Sequence, residues 1–250
     1  MRSEPSRSAL AGGLALALLG AGLAVLWRLN YPAFHLGVEV ITVALAFTIQ
    51  LLAWNTRDQH GQGVLVLAAS GLAAAACLDL LHALAFRGTP FLTVRGPNLS
   101  TQLWIAARTL QAASLVLAPL GLGRRIDARL AATGFSLAAA GLAWTIYAGH
   151  FPLCYEEGKG LTPFKVGAEY VLTAVFLGSA AAAARSRDRM GPQIRTPFLG
   201  FCLCMAAGEL AFTSFVGVLD IANLAGHLFK LLGSWLLYRA LFVAAVRNPL

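Results

Sequence analysis

The stretch VLVLAASGLAAAACLDLLHALAF, Val64–Phe86, decides the fold. It has no proline and no Lys or Arg, and it is long enough as a helix to cross a hydrocarbon core of about 30 Å at about 1.5 Å per residue. Its two strongly polar residues, Asp79 and His82, lie three apart near one end and therefore on one helix face. A water-soluble helix would carry its polar residues along a stripe instead.

Working outward, seven more runs of this kind emerge: Leu10–Trp27, Leu36–Trp54, Thr101–Leu122, Leu130–Tyr147, Val166–Ala184, Pro197–Val218 and Ile221–Val246. The 250 residues are 58% hydrophobic and 12% charged, with a mean hydropathy of +0.70. These values exclude an ordinary soluble domain. Short connections leave no room for a folded extramembrane unit, and an open sheet would leave backbone groups unpaired in lipid. The expected fold is all-α: residues 1–250 as one polytopic bundle of about eight transmembrane helices. A basic start followed by an Ala/Gly/Leu run also allows the first run to be a signal peptide, which would leave seven spans.

The net charge of +8 sits in short clusters between apolar runs, so it reports topology and not a nucleic-acid partner. With the N-terminus inside, the cytoplasmic segments hold Arg2, Arg7, Arg57, Arg124, Arg125, Arg129, Arg185, Arg187, Arg189, Arg195, Arg239 and Arg247. The outer ones hold Arg28, Arg87, Arg95, Lys159 and Lys165. Twelve against five places both termini in the cytoplasm. The run Arg185–Arg195 reads as a topology anchor, and His60 as a solvated loop residue.

Charged groups inside a span cost about 2.5–3.5 kcal/mol each at the helix centre on insertion scales, so they usually face a bundle interior and serve a function. Here they gather in the outer half: His35 and Glu39 on the second span, Asp79 and His82 on the third, Asn98, Gln102 and Arg108 on the fourth, Lys165 and Glu169 on the sixth, Glu209 on the seventh, His227 and Lys230 on the eighth. The inner halves read as Ala, Leu, Val, Gly and Phe. Glu39, Asp79, Glu169 and Glu209 against Arg108 and Lys230 leave a deficit of two positive charges, to be closed by protons, charged histidines or a divalent cation.

His35, Glu39, Asp79, His82 and His227 are candidate ligands for zinc, iron or copper. The histidines could also ligate a haem, although no haem-attachment motif is present. Gln102, Arg108, Glu169, Glu209, Lys165, Lys230, Cys154 and Asn98 are candidate ligand-binding residues, Cys154 as a soft ligand or thiol sensor. The bland alternative is that these groups only tie helices together. No phosphate loop, nucleophile elbow, zinc-protease motif or redox CxxC is present, so no catalytic residues are expected.

Several motifs together resemble the third membrane-associated sensor (MASE) domain family. They are Phe34-His35-x3-Glu39, Asp79-x2-His82 followed by Gly88 and Pro90, Asn98-x3-Gln102-x-Trp104-x3-Arg108, and Phe151-Pro152-x-Cys154-Tyr155 with Gly160-Leu161-Thr162-x-Phe164-Lys165-x3-Glu169. The last is His227-x2-Lys230 with Tyr238-Arg239-Ala240. The resemblance implies a non-catalytic, eight-helix input domain in the bacterial inner membrane. Its partners would be cytoplasmic outputs of PAS, histidine kinase or diguanylate cyclase type, and dimerisation is expected because such outputs work as dimers. The chain stops at Leu250, just past the last span. The expectation is therefore an input domain cut from a signalling protein, or a stand-alone version acting through a partner. Two other readings stay open: a haem or metal redox protein, and a proton- or ion-coupled transporter, which the apolar inner halves disfavour.

Overall fold

The computed structural model describes residues 7–59, 62–86, 96–186, 190–214 and 220–246. Among them lie eight α-helices: α1 (Arg7–Leu29), α2 (Tyr31–Thr56), α3 (Gly63–Leu84), α4 (Gly96–Leu117), α5 (Ala128–Tyr147), α6 (Pro163–Arg185), α7 (Pro192–Thr213) and α8 (Ile221–Val246). A 3-10 turn, Ala118–Gly121, extends α4, and a two-residue-per-strand hairpin, β1 (Tyr155–Glu156) with β2 (Gly160–Leu161), joins α5 to α6. Six helices, α2 through α7, are long and apolar enough to cross a membrane. The chain is an all-α membrane bundle.

Local chemistry explains where the helices begin. Asn30 caps α2 by accepting from the Ala33 backbone N–H at 3.1 Å, with Pro32 in the first turn. Thr162 caps α6 ahead of Pro163, accepting from Lys165 N at 3.3 Å. Asp127 caps α5 through Arg129 N and Leu130 N, and these two bonds hold its carboxyl below the ordinary range. Pro192, at the first position of α7, starts that helix, so the expected start at Pro197 is one turn late and Pro197 lies inside it. α2, α4 and α6 likewise start before the apolar runs at Leu36, Thr101 and Val166, because hydropathy sees the lipid-facing length, while the Asn30 and Thr162 caps set the starts of α2 and α6. His35, Asn98 and Lys165 thereby become helical residues. The end of the seventh run at Val218, His60, Gly88, Pro90, Arg2, Arg87, Arg95, Arg187, Arg189 and Arg247 lie outside the described residues.

The third run, which decided the fold, forms the centre. Of the most apolar window of α3, 72% is buried, against 11% for α5. α3 touches α2, α4, α5 and α8. Small residues allow this. A Cβ on Gly71 would come within 2.1 Å of the Ser114 Cβ on α4, and one on Gly63 within 2.5 Å of the Arg124 carbonyl oxygen. α5 shows Leu130, Leu137 and Trp144 outward, as a lipid-facing helix does. At the end away from the hairpin, Ile49, Leu65, Leu72, Phe176, Phe201 and Leu237 form an apolar core.

Candidate functional site

Antiparallel succession brings the starts of α2, α4, α6 and α8 together with the ends of α3 and α7 at the hairpin end of the bundle. Three layers of polar residues result.

The first is a histidine pocket. His35 (α2), His82 (α3) and His227 (α8) are buried, at 1%, 6% and 4% exposure. The His82 Nδ1 lies 2.7 Å from the Ser100 carbonyl oxygen, which only accepts, so Nδ1 carries the proton and a neutral His82 presents a lone pair at Nε2. His35 Nε2, 3.0 Å away, then donates to it, and His35 Nδ1 is left as a buried acceptor with no hydrogen-bond donor among the described residues. His227 Nδ1 faces the Asn223 carbonyl at 2.9 Å, which leaves its lone pair on Nε2 by the same logic. Glu39 lies one turn below His35, fully buried, and its Oε1 has no hydrogen-bond partner among the described residues. Ligand atoms of His35, Glu39 and His227 lie within 4.8 Å of one another. Phe86 stacks on His35 at 4.1 Å, and Phe34 and Phe212 flank His227, so the pocket wall is apolar.

The second layer is a matched ionic network directly beneath. Lys230 Nζ contacts Glu39 Oε2 at 2.5 Å and Asp79 Oδ1 at 3.3 Å, while Arg108 pairs with Asp79 Oδ2 and donates to Gln111 Oε1. Trp104 serves both cations: its ring centre lies 4.7 Å from Lys230 Nζ and 4.9 Å from Arg108 Cζ. A cavity of about 20 Å³, room for about one water, lies below, lined in part by Thr42, Asp79, Arg108, Gln111, Lys230 and Ser234. The polar character thus runs further inward than the apolar runs indicate, because Thr42, Gln111 and Ser234 are one turn along from Glu39, Arg108 and Lys230 on the same faces.

The third layer is the seam between α6 and α7. Lys165 Nζ lies 2.6 Å from Glu169 Oε1 and donates to the Phe212 carbonyl at 2.7 Å. Glu209, 1% exposed, has neither carboxyl oxygen hydrogen-bonded among the described residues. The expected deficit of two positive charges is corrected here. Lys165 is not an outer-loop cation but a first-turn residue at 2% exposure, so four buried carboxylates meet three buried cations.

Asn98, Gln102 and Cys154 belong to none of these layers. Asn98 Oδ1 accepts from the backbone N–H of Cys154 and Tyr155, and Gln102 Nε2 donates to the carbonyls of Phe151 and Pro152. Together they fasten the hairpin segment onto α4. Cys154 is wholly buried, and burial pushes its thiol up to about 12. Such a thiol is a poor nucleophile.

Sequence reasoning left out Ser100, Asn223, Gln111 and Tyr31. Ser100 and Asn223 act through backbone carbonyls, which no side-chain pattern reveals; Tyr31 donates to Asn223 Oδ1 at 3.0 Å. A usable signal was the spacing of Asn223 and Gln111 from His227 and Arg108, one helical turn in each case.

Comparison with curated proteins and with solved structures yields no match to this chain. The family model MASE3, described as a membrane-associated sensor domain, matches residues 26–249. That range takes in all three polar layers and the hairpin, and the chain belongs to this family of multi-pass membrane sensor domains.

Proposed function

We propose that this domain senses a transition-metal ion bound by His35, Glu39 and His227, and that α8 carries the response to a cytoplasmic output. The observation that supports it is the convergence of those three buried residues, with acceptor atoms of His35 and Glu39 left without donors among the described residues. A zinc-like ion sets its nitrogen and oxygen ligands about 2.0–2.2 Å from itself, so the three groups need only modest rotation to close on it. His35 touches both other histidine rings, with its centroid 5.1 Å from that of His227 and its Nε2 hydrogen-bonded to His82. That spacing suits a single ion better than a planar haem. His82 then acts as a positioning residue, orienting His35 much as outer-shell partners orient ligands elsewhere.

Lys230 supplies the coupling. It holds Glu39 in the ion-free state and has Asp79 within 3.3 Å as an alternative partner. A cation arriving at Glu39 competes with Lys230 and repels it toward Asp79 and the small cavity beneath. Lys230 is part of α8, so ligand preference for one lysine position becomes a bias on that helix.

Elemental analysis of protein purified without chelator, with titration of zinc, copper and ferrous iron into chelated protein, tests this reading. One ion per chain is expected, lost in His35→Ala and His227→Ala. Absence of stoichiometric binding for all three ions rejects it.

A further inference from the structure

The α6–α7 seam has an imbalance that the metal pocket does not use. The three buried cations each have a carboxylate partner: Arg108 with Asp79, Lys230 with Glu39, Lys165 with Glu169. Glu209 is the fourth carboxylate and has no ion pair among the described residues. The charges whose fields reach it are those of Glu169 and Lys165 from α6, Arg108 from α4 and Lys230 from α8. Cys154, from the loop, feels the charges of Lys165 and Glu169. Phe212, one turn along α7, packs on Trp104 at 4.8 Å. Glu209 is not among the three residues that converge as metal ligands.

A buried, unpaired carboxylate in a low dielectric is neutralised by whatever it can bind. Two candidates have the right chemistry, a proton and a monovalent cation. A cation of sodium type wants five or six oxygen ligands, as hard cations generally do. Here the Phe212 carbonyl and one Glu169 oxygen are already taken up by Lys165 Nζ. The Lys165 ammonium already seated on both repels a second cation, whereas a proton needs only the carboxyl itself.

We propose that Glu209 binds one proton, and that this seam is a proton-binding site separate from the metal pocket. Release of the proton leaves one net negative charge facing Arg108 and Lys230, the two cations that hold Asp79 and Glu39. The seam therefore makes the histidine pocket answer to protons as a second ligand.

Infrared spectroscopy of the full chain in lipid nanodiscs, with chelator present so that the metal pocket is empty, counts protonated buried carboxyls directly. At neutral pH one such C=O band is expected. It should vanish in Glu209→Gln, and also in Glu169→Gln, where Lys165 is released to pair with Glu209 and the charges match. In Lys165→Met a second band of equal size is expected. No band in the unaltered protein, a band that persists at full size in Glu209→Gln, or a band that disappears on adding sodium at constant pH would each overturn the proposal. Should Glu209→Gln fail to fold, the Glu169→Gln and Lys165→Met counts decide it, since a purely structural role would leave the band unchanged in both.

Discussion

The network beneath the histidine pocket and the seam between α6 and α7 are built from the same residue types, yet they solve the burial of charge differently. In the network two cations meet two carboxylates, both cations lie within cation–π distance of Trp104, and Arg108 is held further by Gln111. In the seam one lysine stands beside two carboxylates, pairing with Glu169 and donating to a backbone carbonyl as well. A matched set is stable as it stands and is disturbed only when a further ion enters; an unmatched set must already hold something. On the two proposals above, the difference separates a pocket poised for a cation from a site that holds a proton.

The comparison breaks most visibly if the network is cut. Arg108→Ala leaves Asp79 buried beside a cavity with its main partner gone, a change that typically costs about 3–5 kcal/mol in a buried pair. Removing both charges, as Arg108→Met with Asp79→Leu, should recover most of that loss, because the penalty lies in the orphaned charge and not in the missing attraction. Thermal unfolding in lipid nanodiscs reads both variants. A double variant as unstable as Arg108→Ala would mean that the pair is needed for packing.

Next in size is the effect of Lys230 on the metal. Lys230→Met frees Glu39 for the ion and removes a repelling charge, so metal affinity should rise by about tenfold or more while metal-free stability falls. The metal-induced gain in melting temperature should therefore exceed that of the unaltered protein; an ion present at about 100 times its Kd adds about 2.7 kcal/mol. An unchanged affinity would show that Lys230 and the ion do not share Glu39, and the proposed route to α8 would fail with it.

Much of this was legible before any coordinates. Apolar runs gave the positions of all eight helices, of which six, α2 through α7, are long and apolar enough to cross a membrane. The gathering of His35, Glu39, Asp79, His82, His227 and Lys230 at one end followed from helix direction. The partners within the gathering did not. Lys165 was counted outside because its helix is fixed by the Thr162 cap and Pro163, not by hydropathy, and that single residue changes the charge deficit from two to one. Asn98, Gln102 and Cys154 resembled ligand residues by type, but spacing cannot show that their polar atoms are engaged with a loop backbone some fifty residues away.

That engagement sets two smaller expectations. Asn98→Ala removes the acceptor for two backbone N–H groups, so it should cost about 1–3 kcal/mol, the range for a buried group left unsatisfied. Metal affinity should not change, because the hairpin is fastened to α4 and not to the ligands. A tenfold or greater loss of metal binding in Asn98→Ala would instead join the hairpin to the pocket.

The smallest effect concerns Cys154, the one cysteine in a loop. Its thiol is wholly buried and burial raises it to about 12, so at pH 8 only about one molecule in ten thousand carries the reactive thiolate, and even that is shielded. A group raised in the folded state keeps its neutral form through the physiological range, so stability should show no dependence on this thiol until the medium passes the ordinary thiol range near 8.5. Folded protein treated with an alkylating reagent at pH 8 should leave Cys154 unmodified, as mass spectrometry of the digest would show, and denatured protein should label fully. Rapid labelling in the folded state would mean that the hairpin opens readily over the seam, giving the Lys165, Glu169 and Glu209 layer a direct path to water and to protons from the hairpin side.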